Sequence, residues 1–344
     1  MKSRTAGPVT MKDVAKASGV HISTVSRALN PATRDLVKDD IATRILETAR
    51  QLGYRANTLA SSLRTRQSKV VGFVVPDLSS LLFPPILEGI EDTLLKMGYM
   101  TIVANTANDP DRYLRVLSGM TERQVDGLII AAATLPDPIL DEWFEGRAPI
   151  VLINRTDESG RAPAVLNDDL RGIGLAVRHL AALGHTRIAH IAGPARLSTG
   201  MMRLRGFNLA ISELSLSKVA NTVIEAESFS REAGRAACLK LLATRPDITA
   251  IVAANDLIAL GCYDAFKERG IKCPEDISIA GYNDAPFMDM VQPALTTVQI
   301  QQREMGAEAA RLLLARMQGQ EVAGDVWLRP TLVERSSTAK PCTP

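Results

Sequence analysis

Two hydrophobic rhythms divide the chain. Over the first 56 residues, apolar positions recur at intervals of three and four, the mark of short amphipathic helices. Met11, Val14 and Ala15 predict a first helix over Met11–Ser18. Thr10 precedes it and Asp13 lies three residues on, a capping-box arrangement with Asp in place of Glu or Gln. Gly19 breaks that helix, and Val20 and His21 make a short turn. A second helix opens near Ile22, with Val25, Ala28 and Leu29 on one face. Two short helices joined around a Gly form a helix-turn-helix. A third is predicted over 37–52, where Val37, Ile41, Ile45 and Ala49 recur every four residues and Arg44 and Arg50 point elsewhere. Gly53 closes it, and three such helices can just enclose a miniature core.

From Val70 the pattern changes to apolar runs alternating with helical segments. VVGFVVP, YMTIVANT, DGLIIAAAT and PIVLINR are interleaved with PILEGIEDTLLKMG, DRYLRVLSGMTER and ILDEWFEG. A second series has RIAHIAG, TVIEAE, AIVAAND and ISIAGYND between helical stretches such as MMRLRGFNLAISEL and EAGRAACLKLLA. This alternation predicts an α/β body of two doubly wound parallel-sheet lobes with a cleft between them. Between head and body, NTLASSLRTR (57–66) is helix-compatible but too short to stand alone in water. Ala60, Leu63 and Arg64 mark it, because an apolar wedge beside a cation suits minor-groove intercalation; a plain linker is the alternative.

Composition supports ordinary folded cores, with 46% hydrophobic and 23% charged residues. The opening MKSRTAGPVTMKDV lacks an apolar export core, and no later stretch approaches the length of a membrane span. A cytoplasmic protein is expected. Cys238, Cys262, Cys273 and Cys342 are far apart without CxxC spacing, which fits reduced thiols. The net charge of +2 hides an asymmetry: residues 1–68 carry 12 Lys/Arg against 5 Asp/Glu, leaving 28 against 33 for the rest. A basic head on an acidic body points to a polyanion partner for the head, unless the charge merely solubilises it.

The second helix carries the chemistry expected of a groove reader. Ile22, Ser23 and Arg27 are candidate base contacts, Arg27 through a bidentate fork to guanine and Ile22 through a thymine methyl. Ser26 lies on the same helix, and Thr10, His21, Thr24 and Asn30 are placed as phosphate anchors. A helical hairpin used for protein contact is the competing interpretation.

In doubly wound sheets, ligands bind beyond the carboxyl ends of strands. The residues there are Asn154 and Arg155, Thr199 and Arg203, Asn255, and Asn283, with Phe83 and Phe229 able to stack on a ring face. Asp168, Asp256 and Asp284 read instead as helix N-caps. Several convergent donors fit the hydroxyls of a polyol or a carboxylate.

MKDVAKASGVHISTVSRALN resembles the head of the lactose/galactose repressor (LacI/GalR) family, with a pattern near DVAxxAGVSxxTVSRxLN. VDGLII, RHLAALGHTRIAHIAGP, RLRGF, AANDLIALG, PEDISIAGYND, PALTTV and RPTLVERSS extend the likeness over nearly the whole chain. His21 and Ile22 depart from the commoner residues of the head pattern. The resemblance implies a lambda-repressor-like head at 1–56, a hinge at 57–69 and a periplasmic-binding-protein-like body at 70–338. It further implies discontinuous lobes, one near 70–168 and 299–322, the other near 169–298 and 323–338, followed by a tail at 339–344. Leu63 would be the intercalating hinge leucine, and Arg203, Asn255, Asn283 and Phe229 match effector positions of the family. Many members carry Asp where Asn283 stands; an uncharged amide there, beside Arg155 and Arg203, suits a sugar acid. The implied protein is a repressor of a catabolic operon, without cofactor or membrane partner. It would be a homodimer or dimer of dimers on double-stranded operator DNA, controlled by a sugar, sugar acid or related metabolite.

An enzyme is the main rival. Gly172-Ile-Gly174 follows polar NDDLR rather than a strand, so it is no dinucleotide fingerprint. His179, His185 and His190 lack metal-ligand spacing and are expected on helix surfaces or loops. A sugar-binding transport protein would share the body but needs export.

Overall fold

The helical rhythm of the head produces α1 (Met11–Ser18), α2 (Ile22–Leu29) and α3 (Asp39–Leu52). The computed structural model describes residues 9–55, 67–144, 148–157, 159–216, 223–322 and 324–342. Met1–Ser68 and Lys69–Pro344 form separate units. In the head, Val14, Val25, Ala42 and Ile45 are fully buried, with Ala15, Ala28, Val37 and Ala49 packed around them. The third helix starts later than its apolar spacing suggested. Pro31–Leu36 forms a 3-10 turn, and Val37 enters the core from non-helical backbone. Asp39 and Asp40 open α3, where acidic side chains favour the positive end of the helix dipole. At α1 the Asp13 carboxylate accepts the backbone N–H (2.8 Å) and hydroxyl (2.7 Å) of Thr10. Those bonds hold it below the usual carboxylate range.

The body consists of two sheets. β1 (Val70–Val75), β2 (Met100–Asn105), β3 (Gly127–Ile130), β4 (Ile150–Ile153), β5 (Ala164–Asn167) and β11 (Val326–Leu328) build the first. Its order is β11-β5-β4-β3-β1-β2, with every pairing parallel. β6 (Ile188–Ala192), β7 (Val223–Glu225), β8 (Ala250–Ala253), β9 (Ser278–Asn283), β10 (Thr296–Gln299) and β12 (Thr331–Val333) build the second. That order is β12-β10-β9-β8-β6-β7, parallel except for the antiparallel edge strand β12. β3, β4, β6 and β8 are buried along their whole length, as central parallel strands covered on both faces must be.

Helices α4 (Phe83–Leu95), α5 (Pro110–Glu122), α6 (Pro138–Trp143) and α11 (Gln302–Met317) belong with the first sheet. Helices α7 (Asp169–Ala182), α8 (Ser198–Glu213), α9 (Arg231–Thr244) and α10 (Asp256–Arg269) belong with the second. The chain crosses between lobes after β5, after β10 and after β11. The last crossing corrects the expected return at residue 323. Val326–Leu328 still pairs with β5, and Asp325 accepts the Ala164 amide at 2.9 Å, so the chain leaves the first lobe only after Leu328. The tail also begins later than residue 339, since Ala339 bonds to Ser278 and His185. Among the described residues, no helix is long and apolar enough to cross a membrane.

His190 overturns the surface expectation for the histidines. It lies in β6, fully buried and stacked on Phe207 at 4.9 Å, with Nδ1 2.8 Å from the Val252 carbonyl. His185 is buried as well, bridging Thr249 and the Ala339 carbonyl. Gly172 packs its helix α7 on Tyr282, whose ring occupies the space a Cβ would need.

Where α4 meets α11 the backbones touch. A Cβ on Gly306 would overlap the Ile86 carbonyl, and one on Gly89 the Arg303 carbonyl. Gly306→Ala should therefore destabilise the body by about 2–3 kcal/mol through forced separation of the helices. Urea unfolding measures this; stability within about 0.5 kcal/mol of wild type would show that the two helices part freely.

Candidate functional site

Two regions gather the residues singled out from the sequence. On the head, Val25 and Ala28 turn inward, which leaves Ser23 and Arg27 exposed and Thr24, Ser26 and Asn30 partly exposed. Spacing of three and four puts Ser23, Ser26, Arg27 and Asn30 on one side of α2. Among the described residues Arg27 forms no ion pair, so its guanidinium is available to a partner. His21 caps α2, its Nδ1 accepting the Ser23 amide at 3.2 Å and lying 2.8 Å from the Ser23 hydroxyl. Ile22 is partly buried against the head core, so only part of its side chain is open to an outside contact. Thr10 is exposed at the start of α1 with its hydroxyl held by Asp13. Ala60, Leu63 and Arg64 lie outside the described residues.

In the body, Phe83, Asn154, Arg155, Thr199, Arg203, Phe229, Asn255 and Asn283 all line a single cavity of about 170 Å³. Both lobes contribute, because parallel strands present their carboxyl ends on the same side of each sheet. Phe83 opens α4, edge-on to Phe73 at 6.4 Å. Asn154 and Arg155 follow β4, and Asn154 takes a left-handed φ of 62°, which Asn tolerates better than most residues. Thr199 and Arg203 lie in the first turns of α8, and Phe229 lies against Gly193. Asn283 ends β9 at φ 114°.

Arg203 is locked in place. Its Nε donates to Asp169 at 3.1 Å and its Nη1 to the Ala254 carbonyl at 2.8 Å, while the guanidinium lies 4.0 Å above the Tyr282 ring. Burial pushes the Asp169 carboxyl up, against the opposing pull of Arg203. Arg155 is buried too, but among the described residues its Nε has no partner, nor do the Oδ1 atoms of Asn154 and Asn283. Burial, reinforced by the like charges of Arg203 and Arg196, lowers Arg155 to about 10.

Helix-capping expectations need correction at two positions. Asp168 does cap α7, accepting the Arg171 amide. At α10, however, the cap is Asn255, whose Oδ1 accepts the Ile258 amide at 2.9 Å. Asp256 is buried, accepting the Ala285 amide and the Thr297 hydroxyl, and burial pushes it up to about 7. Asp284 instead pairs with Arg335 at 2.7 Å. The sequence reading also passed over Asp77, Ser80, Asn108 and Arg196 on the cavity wall. Asp77 and Asn108 follow β1 and β2, so the strand-end rule, applied to every strand, would have included them.

The lobes also touch directly beside the cavity. The Thr156 amide donates to the Ser198 hydroxyl (3.0 Å), the Leu135 amide to the Arg196 carbonyl (2.8 Å), and Gln302 Nε2 to the Asn283 carbonyl (3.1 Å).

Residues 10–57 match the family described as bacterial regulatory proteins, lacI family, and residues 177–338 match a periplasmic binding protein-like domain. The ribose operon repressor of Bacillus subtilis (strain 168) is 35% identical over 332 residues, 96% of this chain and 99% of that protein. The chain belongs to the LacI family. Another relative, the transcriptional repressor PurR of Edwardsiella ictaluri, is 32% identical over 96% of this chain and 97% of its own length. Among solved structures, a lac repressor dimer bound to operator and the anti-inducer ONPF superposes with a TM-score of 0.86 at 28% identity. It covers 97% of this chain and 100% of that one. A LacI-family regulator from Enterococcus faecium with bound ribose gives 0.69 at 31% identity, over 79% of this chain and 99% of that one. As a LacI-family protein it is a DNA-binding transcription regulator with a helix-turn-helix head and a two-lobed body.

His190, stacked on Phe207 inside the second lobe, yields a pH signature. Burial lowers its imidazole to about 4, with the Val252 bond opposing and Arg203 adding to the shift. The unfolded chain then binds the extra proton first, so this contribution to stability is complete above about pH 6.5 and lost as pH falls toward 4. Nitrogen-detected NMR should show His190 neutral at pH 5.5; an imidazolium signal at that pH would contradict the buried stacking on Phe207.

Proposed function

We propose that this LacI-family protein represses its target genes as a homodimer on a pseudo-palindromic operator, and that a small molecule in the cleft between the body lobes sets its operator affinity. The observation that carries the proposal is the convergence on one cavity of eight side chains from strand ends and the loops and helix starts that follow them, in the same chain as a helix that turns Ser23, Ser26 and Arg27 outward. Arg27, Ser23 and the exposed part of Ile22 are the base-reading groups. Thr10, His21, Thr24, Ser26 and Asn30 hold phosphate and orient α2.

A homodimer is supported by apolar surface on the first lobe, where Leu95, Met97, Met100, Ile102 and Leu114 are exposed near the β2 edge. Apolar patches of this sort mark protein contacts. One head reads too few base pairs for specificity in a genome, and two-fold pairing doubles the site. The lac repressor neighbour is a dimer on operator, and the Enterococcus faecium neighbour holds ribose. By analogy the effector here is a sugar, sugar acid or related metabolite, and the protein is a regulator rather than an enzyme.

Control follows from linkage. A ligand touching both lobes favours one lobe arrangement, and the crossings after β5, β10 and β11 are the covalent ties between them. The arrangement selected sets the spacing of the segments that lead to the two heads, and so their fit to DNA. In this reading Leu63 and Arg64 belong to that segment and meet the minor groove at the operator centre.

Fluorescence anisotropy on full-length protein and a palindromic duplex tests the proposal. Affinity should fall by roughly three orders of magnitude or more between about 50 and 200 mM salt, as phosphate contacts release counterions. Arg27→Ala should cost about 1–3 kcal/mol and relax discrimination at one base pair per half-site. Equal binding of random and palindromic duplexes would overturn the repressor reading.

A further inference from the structure

The cavity carries a positive charge that the described chain does not balance. Three guanidiniums reach its wall, and they differ sharply. Arg196 is exposed to solvent. Arg203 is already paired with Asp169. Arg155 is only 7% exposed, and among the described residues its side chain has neither an ion-pair partner nor a hydrogen bond. A buried, unpaired cation is among the costliest arrangements a folded chain tolerates, unless something else supplies the counter-charge.

The surroundings of Arg155 point the same way. Helix α8 spans 16 residues and begins at the cavity wall, with Leu197 at its N-cap and no side chain capping its first amides. Ser198 does not serve, because its hydroxyl accepts the Thr156 amide across the cleft. The positive end of that helix dipole is thus added to the guanidiniums. Asp77 is the one carboxylate on the wall among the described residues, and its Oδ1 accepts the amide and hydroxyl of Ser79 within its own turn. At Asn283 an amide stands where a carboxylate would have offset the charge. Its Oδ1 and that of Asn154, both buried and unpartnered, are acceptors suited to hydroxyl groups.

We propose that the effector is an anion, a small polyhydroxylated molecule whose carboxylate or phosphate seats on Arg155 at the start of α8 while its hydroxyls meet Asn154 and Asn283. This rests on the reading of the cavity as the effector site and narrows it to a charge class. Arg203 then acts as the fixed wall of the pocket, and Arg155 as the group that selects charge. A planar guanidinium suits both oxyanions through paired N–H bonds, so carboxylate and phosphate are the two sources to separate.

Titration calorimetry on full-length protein separates them with two matched sets: glucose, gluconate and glucose 6-phosphate, and ribose, ribonate and ribose 5-phosphate. At least one anion should bind ten-fold or more tightly than its neutral parent, and the carboxylate and phosphate arms identify which oxyanion fits. Arg155→Met should weaken that anion by about a hundredfold, as loss of one member of a buried charge pair does, and Arg155→Lys should retain part of the preference. Without ligand, Arg155→Met should melt no lower than wild type, because it removes an uncompensated charge. A neutral sugar binding as tightly as its acid and phosphate overturns the charge assignment alone and leaves the effector site standing. An Arg155→Met protein that melts several degrees below wild type, or that keeps full anion affinity, overturns it as well. Silence from all six compounds, with operator binding intact, overturns the effector reading together with the proposal.

Discussion

Parallel strands cannot be joined by tight turns; each needs a longer crossover, most often a helix, that returns the chain to the starting edge. The parallel strands of each sheet therefore end on the same side, and each strand end hands the chain to a loop. With two such sheets in one unit, the loops meet. Asn154 and Arg155 from one lobe face Arg203, Asn255 and Asn283 from the other because of this constraint, although they lie far apart along the chain.

Close packing makes the arrangement rigid within each lobe. Gly89 and Gly306 bring α4 and α11 into backbone contact, and Gly172 lets α7 settle on Tyr282. Tyr282 in turn supports the Arg203 guanidinium, which Asp169 and the Ala254 carbonyl hold from the other sides. Between lobes the ties include three chain crossings, hydrogen bonds such as Thr156 to Ser198 and Gln302 to Asn283, and apolar packing, since one hydrophobic cluster runs through both lobes. The cavity lies at this junction, with residues of both lobes on its wall.

Rigid and unfinished groups occupy the same pocket for different reasons. The Arg203 network satisfies itself within the protein, so it shapes the wall whether or not a ligand is present. Among the described residues, Arg155 Nε, Asn154 Oδ1 and Asn283 Oδ1 are buried without partners, and such groups are rare in cores because burial removes their water. Their clustering at one cavity is a stronger functional signal than any one of them alone.

The sequence by itself determined the rhythm of the elements. Helical spacing placed α1 and α2, Gly19 and Gly53 ended their helices, and the apolar runs located most strands, because these depend on neighbours a few residues away. The residues following the apolar runs likewise pointed to eight of the side chains that line the cavity, though not to Asp77, Ser80, Asn108 or Arg196. Local pattern was silent where distant pairing decides. Val326–Leu328 joins the first sheet only because β5 offers an edge, and His190 is core because Phe207 and Val252 enclose it. Asn255 rather than Asp256 caps α10, since Thr297 and the Ala285 amide, far along the chain, claim the Asp256 carboxylate. Likewise, only the tertiary structure decided which arginine is paired: charge neutralisation depends on what lies within a few ångströms in space, and one-dimensional spacing carries no record of that.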